Sequence, residues 1–246
     1  MVRHSNKNTP LINSQIYIGG LNFSKKYEDE FIKDGMIRYF DYKNSNILFY
    51  SKLVYLTTLY ASDNSDFDYY INNLKKINPD TKIEGYLKKS VNLSLLSPPF
   101  LISNYILGKT FYTGSVPYTF SYLPTVNFNL YPMAITREIG ISVNVNSLIN
   151  DYNKIDRIYN KCQYMRLTYE FGQDVWNKKV SGFSFEYTNI TIYKSSVDLV
   201  IHHVDKCTSN TLLTLNFKHL YLRWKHQFKI FDNLEPKNSF AIGVKL

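Results

Sequence analysis

Lys179 to Tyr193 reads KVSGFSFEYTNITIY, and its alternation decides the fold class. Phe183, Phe185 and Tyr187 alternate with Ser184 and Glu186, the two-residue period of a half-buried strand. Two residues on, the apolar phase shifts to Ile190 and Ile192. A shift of one residue swaps the face a strand buries, so the stretch predicts a β-bulge or a sheet-to-sheet corner near Thr188 and Asn189.

The same signals spread outward. Ile135, Ile139, Ile141, Val143 and Val145 alternate with Thr136, Glu138, Ser142 and Asn144, predicting a strand with one wet side. Further strands are predicted at Tyr164 to Phe171 and Val197 to Val204. Leu212 to Phe231 carries both a helical stripe and a strand alternation, and the flanking turns favour strand. Ile47 to Tyr60 is apolar on both alternations, the look of a strand covered on both faces, and Val91 to Leu96 reads as a strand ended by Pro98 and Pro99. Phe100 to Pro132 reads as short strands and long loops.

Helices are fewer. Phe67, Tyr70, Ile71, Leu74 and Ile77 fall at helical spacing, with Ser65 and Asp68 as a capping box and Asn78-Pro79 as the stop. Ser147 starts a second helix to about Lys161. Near the N-terminus, Ser24 caps a short helix to about Asp34, with Tyr27 and Phe31 on one face. Too small to stand alone, it must dock on the body or on another subunit. The chain divides into an arm, residues 1–40, and one β unit, residues 41–246. About eight strands, with no βαβ rhythm, predict a mainly β fold of the antiparallel jelly-roll-like sandwich kind, with a few inserted helices.

Composition narrows the function. The chain has 246 residues, 44% hydrophobic and 20% charged, which excludes wholesale disorder, and no apolar run is long enough for a helical membrane span. The expectation is a soluble protein without a secretory leader. The net charge of +9 raises an acidic partner, but the basic residues are scattered. Cys162 and Cys207 lie in no ligand spacing and read as free thiols. Twenty-two Tyr and sixteen Phe favour β structure and broad protein contacts: Phe183, Phe185, Tyr187 and Trp224 read as core or subunit contact, and Tyr27 and Phe31 as a self-assembly contact of the arm.

Catalytic chemistry is thin. Gly108-Lys109-Thr110 resembles the end of a phosphate loop, but position 103, where the motif needs glycine, is Ser. His202 and His203 are adjacent on a strand and point to opposite faces, so they do not share a metal. No nucleophile elbow accompanies the cysteines. The expectation is a non-enzyme that needs no cofactor and holds no metal.

Four patches in order resemble the polyhedrins of cypoviruses, the proteins that crystallise around insect virus particles. They are Val54 to Ser65, VYLTTLYASDNS, with the helix after it; Ser142-Val-Asn-Val145; Val180 to Ile192, with its YTNITI ending; and Asn238-Ser-Phe-Ala-Ile-Gly-Val244. The resemblance implies a jelly-roll-like sandwich, homotrimers, and an N-terminal helix reaching into neighbouring subunits. It also implies crystals in the cytoplasm of infected cells that embed virus particles, hold nucleotides and dissolve in alkali, without contact with a membrane. Tyr and Lys titrate near pH ~10, so their ionisation would drive such disassembly. A viral coat or nucleic-acid-associated jelly-roll protein is the alternative.

Overall fold

A computed structural model describes residues 10–60, 64–114, 118–145, 162–190, 195–205, 207–217, 220–228 and 237–244. Five helices come first and eight strands follow: α1 (Pro10–Ile37), α2 (Tyr42–Tyr60), α3 (Asp66–Ile77), α4 (Ile83–Ser94), α5 (Pro98–Thr113), β1 (Tyr122–Tyr131), β2 (Ala134–Asn144), β3 (Cys162–Asp174), β4 (Lys179–Ile190), β5 (Ser196–Val204), β6 (Thr208–Phe217), β7 (Leu220–Phe228) and β8 (Lys237–Val244). The strands form one antiparallel sheet in the order β1 to β8, each beside its sequence neighbours.

The expectation of antiparallel β structure with helices holds, while the arrangement differs from a jelly roll. All five described helices precede the sheet, and the described strands form a single meander where a sandwich needs two sheets. The predicted bulge is absent. The register of β4 runs unbroken from Lys179 opposite Gln173 to Ile190 opposite Cys162, and on its other side from Gly182 opposite Val204 to Ile190 opposite Ser196. The apolar phase shifts at Ile190 because the second face of the sheet, mostly polar, also carries some aliphatic residues. The helix predicted from Ser147 lies outside the described residues.

Three strand readings become helix. Ile47 to Tyr60 lies in α2: Leu48 and Tyr55 are buried while Ile47, Tyr50, Leu53 and Val54 face outward, so apolar residues all round the helix mimic a two-faced strand. Val91 belongs to α4, where it continues the buried ridge of Ile83 and Leu87. Pro98 and Pro99 open α5, where a missing N–H costs nothing, instead of ending a strand. The α3 prediction holds in detail: Ser65 Oγ accepts from Asp68 N at 3.2 Å and Asp68 Oδ2 accepts from Ser65 N at 3.1 Å. Leu212 to Phe228 divides between β6 and β7.

The N-terminal segment is not a short helix starting at Ser24. α1 is a single 28-residue helix, with Ser24 in its interior, and its own chain covers it. Ile18 and Leu21 join Tyr55, Phe67, Leu74, Leu87, Phe128 and Ile135 in one core cluster. Phe31, Ile32 and Met36 join Phe40, Leu48, Ile106, Leu123 and Tyr164 in another. At the end of α1 a Cβ on Gly35 would lie 2.4 Å from the Phe40 ring, so glycine there lets the chain fold back closely.

Candidate functional site: a sheet with its polar face buried

Along β3 and the middle of β2 the two-residue period holds, but the burial is opposite to expectation. On β3, Arg166, Thr168 and Glu170 are buried, Glu170 with 1% of its surface exposed; between them Met165, Leu167 and Tyr169 are open, Leu167 at 56%. On β2, Thr136, Glu138 and Ser142 are buried while Ile139 and Ile141 are exposed. The predicted wet side is thus the covered one, because α1 lies across it and supplies charges that match those of the strands.

The polar face is an ion-pair lattice between helix and sheet. Arg166 donates to Glu138 on β2 and Asp29 on α1, each at 2.5 Å, and Lys25 lies 2.8 Å from Asp29 and 3.1 Å from Glu138. Burial disfavours a charged Lys25, but these two carboxylates more than offset it and raise its pKa. About two α1 turns beyond Lys25, Lys33 reaches Glu186 on β4 at 2.8 Å and Asp198 on β5 at 3.3 Å. Lys52 of α2 pairs with Glu28 at 2.8 Å, both side chains almost wholly buried, and its Nζ lies 3.3 Å from Asn127 Oδ1 on β1. Further along, Glu170 accepts from Thr136 Oγ1 at 2.6 Å and Tyr131 OH at 2.8 Å and lies 2.7 Å from His202 Nε2. The acids Asp29, Glu138, Glu170 and Glu186 each face a base or several donors, the condition under which buried charge is tolerated. This chemistry locks helix to sheet and leaves these carboxylates engaged with partners instead of held for a substrate.

The opposite face is apolar from β2 to β8. Phe183, Phe185 and Tyr187 lie on it with Ile201, Leu213, Trp224, Phe240 and Ile242. Phe240 and Ile242 are each 78% exposed, and an apolar hollow of about 270 Å³ lies among Leu213, Leu215, Leu222, Trp224, Phe240 and Ile242. The band is oblique to the strands. Cross-strand pairing from Ile141 runs through Leu167, Phe185, Ile201, Thr211 and His226 to Asn238, four residues short of Ile242, the centre of the apolar run on β8. That offset is about 13 Å over six interstrand steps of about 29 Å in all, a slant of about 25°.

The sequence-predicted residues separate accordingly. Phe183, Phe185, Tyr187 and Trp224 come together on this open face, not in the core. Phe31 is buried against Phe40 at a centroid distance of 5.3 Å, within its own chain. Tyr27 lies on α1, and its side chain is outside the description. His202 and His203 do face opposite ways, His202 to Glu170 and His203 to the Phe183 ring. Gly108 to Thr110 lie inside α5, not in a phosphate loop. The charged lattice was missed because its partners are distant in sequence; alternation of Arg166, Thr168 and Glu170 with apolar residues was its visible trace. Compared with family models, curated proteins and solved structures, the chain matches none.

Proposed function

We propose that this chain is a membrane-embedded β-sheet protein, with its apolar sheet face against lipid and the polar face of its first strands covered by its own helices. The observation that carries the reading is the inverted burial along β2 and β3: Glu138, Arg166 and Glu170 inside, Ile139, Ile141, Leu167 and Tyr169 outside. Strands that cross a membrane alternate in this sense. Dimensions support it. The strands run from 8 to 13 residues, against the ~9 to 11 a tilted membrane strand needs. Met165 to Phe171 gives about 20 Å of continuous apolar surface along β3, near the ~25 Å belt of membrane strands, and the band slants as on tilted strands. In projection the face covers on the order of 600 Å², at or above the largest apolar patch of a typical soluble monomer. No described helix is long and apolar enough to cross a membrane, but strands need no such run. With α1 and its ion pairs on the polar face, the protein acts as a scaffold. The test is to mix purified chain with vesicles, float them, and wash with carbonate: the reading requires it to stay with the lipid, and a chain left in the aqueous fraction refutes it.

The occlusion-body reading stays as the second, because the open apolar face is equally suited to packing against other copies. It keeps trimers, enclosed virus particles and lattice nucleotides as proposals. Tyr55 and Tyr70 bear on its alkaline switch: burial raises both phenols above their ordinary range, so they resist ionising while the fold lasts. Expression in insect cells decides: micron-scale crystals that dissolve in alkali favour it, and membrane-bound protein without crystals removes it.

A further inference from the structure

We propose that β8 pairs antiparallel with β8 of a second copy across a two-fold axis at Ile242. The two edges of the sheet are not equivalent. On β1 several outward backbone groups are already taken or absent: Pro124 has no N–H, Val126 N donates to Ser97 Oγ at 3.3 Å, Phe128 N donates to Asn127 Oδ1 at 3.0 Å, and Leu130 O accepts from Asn22 Nδ2 at 3.2 Å. That edge is closed to another strand, including β8 of the same chain. Among the described residues β8 pairs with β7 alone, and its other edge has none of these devices. An exposed, apolar, unprotected edge is the feature that captures a further strand.

A second copy fits for two reasons. An antiparallel edge pairs with itself under a two-fold axis normal to the sheet, giving an isologous interface. A two-fold also maps any straight line through it onto itself, so the slanted apolar band continues unbroken into the partner only if the axis lies on the band, at Ile242. Side-chain pairing selects the same register. With Ile242 opposite its own copy, Phe240 faces Val244 and none of these three meets Asn238, whereas centring on Ala241 pairs Phe240 with Ile242 but sets Val244 against Asn238, and centring on Phe240 sets Ile242 against Asn238. In a bilayer this axis would lie in the membrane plane and set the two copies in opposite orientations; the pairing rests on the β8 edge alone, so it stands or falls separately from the membrane reading.

The test uses single cysteines in full-length chain with Cys162→Ser and Cys207→Ala, in whatever buffer or detergent keeps it monodisperse. Ile242→Cys alone is expected to oxidise to a disulfide dimer, since directly opposed residues have Cα atoms about 4.5 to 5.5 Å apart, within the range a disulfide spans. Phe240→Cys alone and Val244→Cys alone are expected to stay uncrosslinked, each being offset from its own copy, whereas an equimolar mixture of the two crosslinks. Native mass spectrometry of the unmodified chain is expected to give a dimer. A monomer at every concentration overturns the pairing, as does Phe240→Cys crosslinking as readily as Ile242→Cys.

Discussion

Leu167→Arg puts the charge where lipid and water differ most. Leu167 lies mid-band on β3, between Ile141 and Phe185, with 56% of its surface open. It makes little use of the core, so in water an arginine there should cost within about 0.5 kcal/mol, as surface changes do. Against hydrocarbon the same arginine costs about 2 to 4 kcal/mol at mid-depth, falling to about 0 to 1 near the interface. Ser181→Arg, on the same face of β4 but toward the turn end of the strand, is the matched control at the rim. The expected difference between the two variants, about 1 to 4 kcal/mol, lowers the folded-to-unfolded ratio roughly 5- to 700-fold, read by reversible urea unfolding in lipid vesicles. If the two variants agree within about 0.5 kcal/mol, the apolar face does not see hydrocarbon and the reasoning fails.

Two further outcomes follow from the charges. Lys52→Met leaves Glu28 buried without its cation and should cost about 3 to 5 kcal/mol; adding Glu28→Leu should recover most of it, as a denaturant double-mutant cycle would show. Glu84 on α4 is held down to about 2 by hydrogen bonds and charge from Lys75 and Lys88. Its folded pKa lies below the unfolded value near 4.5, so its contribution is present above that value and is lost as pH falls toward about 2. Glu84→Gln should therefore flatten the stability slope in that window, by no more than about 1 kcal/mol because the pair is half exposed; an unchanged slope contradicts the assignment.

The β half was legible because period 2 survives whichever face is buried. Ile135 to Asn144, Tyr164 to Phe171 and Phe183 to Tyr187 are strands where the alternation puts them, only Val145 falling outside. The sign of burial was not legible. Assigning apolar residues to the inside is a rule about water, and nothing local to β3 says that Lys25 and Asp29, over a hundred residues earlier, will cover Arg166 and its neighbours. The helical half was harder. In α2 apolar residues surround the axis and erase the 3.6-residue signature, although 19 continuous residues are too long for an ordinary strand. In α4 the spacing of Ile83, Leu87 and Val91 was available, but the Pro pair after it looked like a stop instead of a start. Of the candidate site, the aromatic face of β4 was visible from the outset; its exposure and its continuation to Ile242 depend on cross-strand register.

The chain contains two tryptophans, and only one of them lies on the apolar face. Trp224 lies on the apolar face, opposite Phe240 and Leu213, whereas Trp176 lies in the β3 to β4 turn. In a Trp176→Phe background reconstituted into vesicles, lipids brominated along the acyl chain should quench Trp224 strongly, and aqueous acrylamide should quench it weakly. Quenching by acrylamide with no response to brominated lipid would contradict the account.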